Sequence, residues 1–415
     1  MHLIERYTYQ WKPGINILKK LSKMGQASLL YIFLTFLKLG ATAFGGYMSL
    51  IAIVQKQLVE VDKKLKEEDL LDGISLTSVL PGPFAVNTIT YIGYRLRGIS
   101  GAVVAFIGII IPSFLLVVFL SWLYFSYGNI PAVKNIFSGI TPAITALIAT
   151  VAIGMMRKTV KVPAQWSICL LAALLLIFIG GFVVTFLLLI GSGLAGVVLF
   201  RQLAETDVIP AGKDLIGRKQ WIVSGIMLLL LLCTLLWSGQ NLDVPQNVQI
   251  LSTFSGISLT LFGGGYVVIP ALHELFVENL QWLTSAEFAD GIAIGQITPG
   301  PIFITAAFIG YKVAGVSGAL LATIAMFTPP AILTVLLSRF VDALNHSSVV
   351  KAAMKGIRAA VVGMIVASTI SIGQTITLSV AAAVIFITTF FISFKYTISP
   401  IYLILGAGVA GFILF

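Results

Sequence analysis

Two short helix-breaking motifs occur twice in this 415-residue chain at a single spacing. Phe44-Gly45-Gly46 returns as Phe262-Gly263-Gly264, and Pro81-Gly82-Pro83 returns as Pro299-Gly300-Pro301, both 218 positions later. Asp72-Gly73-Ile74 and Asp290-Gly291-Ile292 keep that offset, and after one deletion Ile92-Gly93-Tyr94 meets Ile309-Gly310-Tyr311 at 217. The chain therefore reads as a duplication, with residues 28–200 as one repeat and 250–415 as the other. Glycine and proline interrupt helices. Paired interruptions in the apolar segments of two repeats are the mark of a binding site inside a membrane.

The segments that carry the motifs are apolar. The chain is 58% hydrophobic and only 10% charged, too little polar surface to coat a soluble globule, so it reads as an all-α polytopic membrane protein. Residues 1–27 hold Arg6, Lys12, Lys19, Lys20 and Lys23 among scattered apolar residues; they form a basic interfacial arm and lack the apolar core of a signal peptide. The net charge of +10 sits in short loops between apolar stretches, which argues against a nucleic-acid partner. Cys169 and Cys233 lie in apolar runs and read as small buried hydrophobes. His2, His273 and His346 are far apart, and no metal-ligand spacing, Walker loop or dinucleotide fingerprint is present, so neither a metal nor a cofactor is expected.

Six apolar segments can be drawn in each half, with a polar stretch and one unpaired span, residues 221–237, within a connecting region 201–249. The loop 55–69 carries Lys56, Lys63, Lys64 and Lys66, whereas its counterpart 273–287 has no Lys or Arg and holds Glu274, Glu278 and Glu287. Equivalent loops with opposite charge prefer opposite sides of a membrane, so the repeats are expected to be inverted. The other cations fit one side except Lys134 and Lys312. The pattern closes if the first two segments of each half are re-entrant hairpins broken at the Phe-Gly-Gly and Pro-Gly-Pro motifs. Residues 29–42 span about 21 Å of helix, short of the ~30 Å hydrocarbon core. That count gives nine crossings; conventional spans would give up to thirteen. The N-terminus is placed in the cytoplasm and the C-terminus outside.

Each Pro-Gly-Pro ends one helix and opens the next, which presents its first N–H groups and positive dipole end near mid-membrane, where anions bind. Asn87 and Thr305, equivalent by the 218 offset, are the first polar side chains on the opened limbs. The alternative is that Pro81, Gly82, Pro83, Pro299, Gly300 and Pro301 only permit close packing. Phe44, Gly45, Gly46, Phe262, Gly263 and Gly264 have the same two readings, and Tyr47 and Tyr266 belong either to the ligand or to an aromatic belt. Lys38 and Arg358 are intramembrane cations that need a partner or a function, with snorkelling as the alternative for Lys38. Gln296 needs a partner at its depth. Asp72 and Asp290 are candidate proton carriers, but the Thr284–Glu287 capping pattern favours reading Asp290 as an acid near a helix start.

At these residues the chain resembles the chromate ion transporter family. The resemblance rests on Phe44-Gly45-Gly46-Tyr47, Leu80-Pro81-Gly82-Pro83 with Asn87, and Gln296-Ile297-Thr298-Pro299-Gly300-Pro301, together with Ile92-Gly93-Tyr94, its copy, and Trp282. It covers nearly the whole chain and implies two homologous domains fused in one polypeptide, acting as a secondary transporter of chromate in a bacterial-type plasma membrane. A helix-end site hardly separates chromate from sulfate, which share charge and shape. An uptake system for sulfate or another anion therefore stays open, as does a homodimer. The rival class, an intramembrane enzyme acting on lipid phosphates, requires a nucleophile and base converging at depth.

Overall fold

The computed structural model describes residues 27–43, 47–128, 130–205, 245–260, 268–338, 348–374, 376–377, 379–396 and 398–415. Every regular element among them is helical: the protein is an all-α polytopic membrane protein. The basic arm, the unpaired span and both Phe-Gly-Gly motifs lie outside the described residues.

Both halves run through the same elements. The first contains α1 (Leu29–Thr42), α2 (Tyr47–Val54) continued by wider π-type turns over Gln55–Val61, α3 (Glu67–Val79), α4 (Phe84–Tyr127), α5 (Pro131–Thr159), α6 (Pro163–Phe178) and α7 (Phe182–Glu205). The second contains α8 (Gln246–Thr260), α9 (Val268–His273) continued over Glu274–Asn279, α10 (Ser285–Ile297), α11 (Thr305–Leu337), α12 (Ser348–Gly373), α13 (Val380–Lys395) and α14 (Pro400–Leu414). A single 3-10 turn, Ile302–Ile304, leads into α11.

Local chemistry sets the helix ends. Ser28 Oγ accepts the Tyr31 N–H at 3.1 Å and opens α1. α5, α6 and α14 begin at proline, whose missing N–H costs nothing in a first turn. Thr284 and Glu287 form the expected capping box at α10. Among the described residues five helices are long and apolar enough to cross a membrane: α4, α5, α7, α11 and α12.

α4 and α11 share a sharp bend. Arg97 and Gly98 leave helical geometry (φ −156° and 62°), and 217 positions later Ala314 and Gly315 do the same (φ −143° and 60°). The bend separates the limb Phe84 to Leu96 from the long remainder of α4. That limb and the 13-residue α3 form a hairpin with arms of about 20 Å. Its base is tied by Arg95, which donates to Asp69; in the second half Lys312 donates to Glu287 at 2.6 Å. Lys312, an exception in the loop-charge pattern, thus has an acid beside it. The start of α1 is tied in a similar way to the end of the π-type turns, because the Tyr31 hydroxyl donates to Asp62 just beyond them.

The halves interleave. α12 packs against α6 and α7 of the first half, and α5 packs against α13 and α14 of the second, while α5 and α12 also meet. Small residues permit the approach. A Cβ added at Gly139 would run into the backbone of Ala407 and Gly411, and one at Gly356 into that of Ser192 and Gly196. α1 lies along α4, α8 along α11, and α4 and α11 pack on each other.

Candidate functional site

The two Pro-Gly-Pro apexes lie where the halves meet. Gly82 and Gly300 have φ of 96° and 112°, a region costly for residues with a Cβ. Gly82 faces Pro330 of α11 and the Ser258 carbonyl of α8; Gly300 faces Ser113 of α4. Ser113 and Pro330 are counterparts at the 217 offset, each following a repeated proline, Pro112 or Pro329. The Gly300 N–H donates to the Ala43 carbonyl at 3.2 Å, and Ser113 Oγ donates to the Pro299 carbonyl at 2.5 Å. Each apex therefore rests on the other half, and the contacts are reciprocal.

Polar side chains shape the apexes from within. Asn87 is fully buried; its Nδ2 donates to the Pro81 carbonyl at 3.0 Å, and its Oδ1 has no hydrogen-bond partner among the described residues. A buried acceptor in that state is costly unless a water or ligand supplies a donor. Thr77 and Thr88 link the two hairpin arms, their hydroxyls 2.8 Å apart.

These contacts correct one expectation. Thr88 faces Thr77, and Thr305 faces Gly295, which lies 218 positions beyond Thr77. Tyr91 lies against Gly73 as Phe308 lies against Gly291. Thr305 is therefore the counterpart of Thr88, not of Asn87, whose position falls to Ile304. The deletion is absorbed by the 3-10 turn Ile302–Ile304, which uses three residues per turn where the α-helix uses 3.6. Thr305 is buried and donates to the Ile302 carbonyl at 2.9 Å. The polar content of the two apexes is thus unequal.

Of the other residues singled out by sequence, Pro81, Pro83, Pro299 and Pro301 are buried and Gln296 is half-buried below its apex. Phe44, Gly45, Gly46, Phe262, Gly263, Gly264 and Tyr266 lie outside the described residues, and Tyr47 opens α2. Lys38 is half-buried on α1, and its carbonyl accepts from Thr42. Arg358 has an exposed side chain on α12. Cys169 is buried, as its apolar surroundings implied.

Asp72 is half-buried, whereas Asp290 is buried, accepts from the Tyr124 hydroxyl at 2.7 Å and has its Oδ1 3.4 Å from the Thr141 hydroxyl oxygen. The acid in the first turn of α10 is Glu287, so the helix-start explanation belongs to Glu287 and not to Asp290. Sequence reasoning missed Ser113, Tyr124 and Pro330. Ser113 and Pro330 were signalled by the repeated proline beside them; nothing local signalled Tyr124, because its partner is 166 residues away.

The profile of the chromate transporter family matches residues 30–197 and 248–412. An uncharacterized transporter of Methanocaldococcus jannaschii is 32% identical over 380 residues, 91% of this chain and 92% of that protein. A probable chromate transport protein of Synechococcus elongatus is 32% identical over 342 residues, covering 82% and 83%. A chromate transport protein of Cupriavidus metallidurans is 28% identical over 390 residues, covering 93% of each. No solved structure matches. With both repeats matched and the relatives aligned over most of their length, the chain belongs to the chromate transporter family.

Proposed function

We propose that this protein exports chromate across a bacterial-type plasma membrane through a single central site between the two Pro-Gly-Pro apexes. The observation that carries the reading is the reciprocal burial of each apex in the opposite half, Gly82 on Pro330 and Gly300 on Ser113. Inverted repeats and re-entrant hairpins account for it: two broken segments then approach one place near mid-membrane from opposite sides. The short arms with clamped bases fit hairpins that enter and leave on one side. The helix start after Pro83 offers N–H groups and a positive dipole end to an oxyanion, and the buried Asn87 amide fixes the loop that shapes it. Lys38 and Arg358 are the cations assigned to the pathway.

Direction follows from electrostatics. An inside-negative potential assists an outgoing anion by about 2.3 kcal/mol per charge per 100 mV, so about 4.6 kcal/mol for a dianion. Loop charges favour an N-terminus in the cytoplasm and the acidic loop 273–287 outside. The test is radiolabelled chromate flux in proteoliposomes with an imposed potential. Flux that rises with potential and is slowed by excess sulfate supports the reading; absent flux, or flux indifferent to both, overturns it.

A further inference from the structure

Asp290 is a buried carboxyl held by the other repeat. It sits on α10 between the capping acid Glu287 and the apex at Pro299. Tyr124 of α4 donates to Oδ2 at 2.7 Å, and Thr141 of α5 lies 3.4 Å from Oδ1. The Thr141 hydrogen has a better acceptor in the Phe137 carbonyl, at 3.0 Å, which leaves Thr141 Oγ1 ready to accept a proton-bearing Oδ1. The Tyr124 ring is fixed edge-on by Phe137 and Phe308, with centroids 4.9 Å and 5.4 Å away.

Among the described residues no cation compensates this carboxyl. Glu287, one turn away on the same helix, is tied to Lys312 of α11. α12 also packs against α10 and carries Lys351, Lys355 and Arg358, but none of them acts on Asp290. Tyr402, the titratable side chain of α14, is 70% exposed. A buried carboxylate with neutral donors only is expensive to keep charged, whereas its protonated form is not. The first repeat differs at the matched positions. Asp72 corresponds to Asp290, and Thr141 corresponds to Arg358, on a helix that packs against the Asp72 helix. Beside Asp290 stands a neutral threonine, where the matched position of the second repeat is a permanent cation.

We propose that Asp290 takes up and releases one proton in each transport cycle, so that a proton enters as an oxyanion leaves. The proton arrives from the side of Glu274, Glu278 and Glu287, adds to Oδ1 and is donated to Thr141 Oγ1; on release the carboxylate keeps the Tyr124 bond alone. Because α10 ends at the apex, the change in its tie to α4 and α5 reaches the anion site directly. This inference rests on the transport reading above, and infrared spectroscopy separates the two.

In purified protein the stretch of a protonated carboxyl group is recorded against pH, beside flux in proteoliposomes at clamped potential with an imposed pH gradient. The expected result is a titrating band in the native protein that is lost in D290N, with lumen pH changing during anion flux in the native protein only. In Y124F, which keeps the ring packing but loses the donor to the carboxylate, the band should persist to higher pH. No titrating band, an unchanged band in D290N, or anion flux without proton movement overturns the proposal. A titrating Asp290 band in protein that moves no anion overturns the transport reading and the coupling, while the titrating carboxyl stands.

Discussion

Lys312 Nζ lies 2.6 Å from Glu287 Oε1, and this pair is the counterpart of Arg95 and Asp69 in the first repeat. The pairs join the first turn of one hairpin arm to the end of the other, so each repeat fixes its apex from its base. Both are partly exposed, and exposed pairs contribute roughly 0–1 kcal/mol. K312E should therefore lower stability in detergent by about 1 kcal/mol or less, and the swap K312E/E287K should recover only part of it, because lysine at 287 also removes the capping box with Thr284. A thermal double-mutant cycle measures the coupling; a cycle with no interaction energy removes the clamp.

Gly300 and Gly82 should not tolerate a side chain. Alanine at either position meets a left-handed backbone and a close neighbour, Ser113 or Pro330; the backbone alone costs about 1–2 kcal/mol. G82A and G300A should reach the membrane yet lose most chromate flux. S113G in the G300A background should recover little, because it relieves the contact and leaves the backbone strained. Full flux in both alanine variants would dismiss the apexes as a site.

Asn87 fixes the shape of the Pro-Gly-Pro loop at the proposed anion site. N87A removes the bond to the Pro81 carbonyl, a loss of about 1–3 kcal/mol at a buried position. N87D adds a negative charge beside the anion. N87D should lose transport more completely than N87A at similar folding yield, as read by flux and by size-exclusion profile. Equal flux in the two would show that no anion passes close to this residue.

The repeats should not be stable alone. α12 is covered by α6 and α7, and α5 by α13 and α14, so either half by itself exposes helix faces lined with small residues. Residues 1–220 and 221–415 expressed singly should be degraded, and co-expression should restore both. Immunoblots of membrane fractions decide; a persistent single half would mean that the interleaving is dispensable.

Inversion is tested from outside. Glu278 is exposed on the acidic loop and Lys66 on the basic one. In a C169A/C233A background, an impermeant thiol reagent added to intact cells should label E278C and spare K66C. Equal labelling would place both loops on one side.

The sequence by itself determined the duplication, the membrane class, the helix breaks at the Pro-Gly-Pro motifs and one helix cap. These depend on composition, on the backbone chemistry of glycine and proline, and on spacings of a few residues, all of which act locally. It also located nearly every helix, including the capping box at Thr284 and Glu287. The tertiary structure decided which residues meet across the repeats: Ser113 with Pro299, Gly300 with Ala43, and Tyr124 with Asp290. It also decided that Thr305 is the partner position of Thr88, since a 3-10 turn absorbs a deletion that an alignment can place anywhere between Pro301 and Ile309. Contacts between residues 149 to 257 apart in the chain depend on how whole helices pack, and no local pattern carries that information.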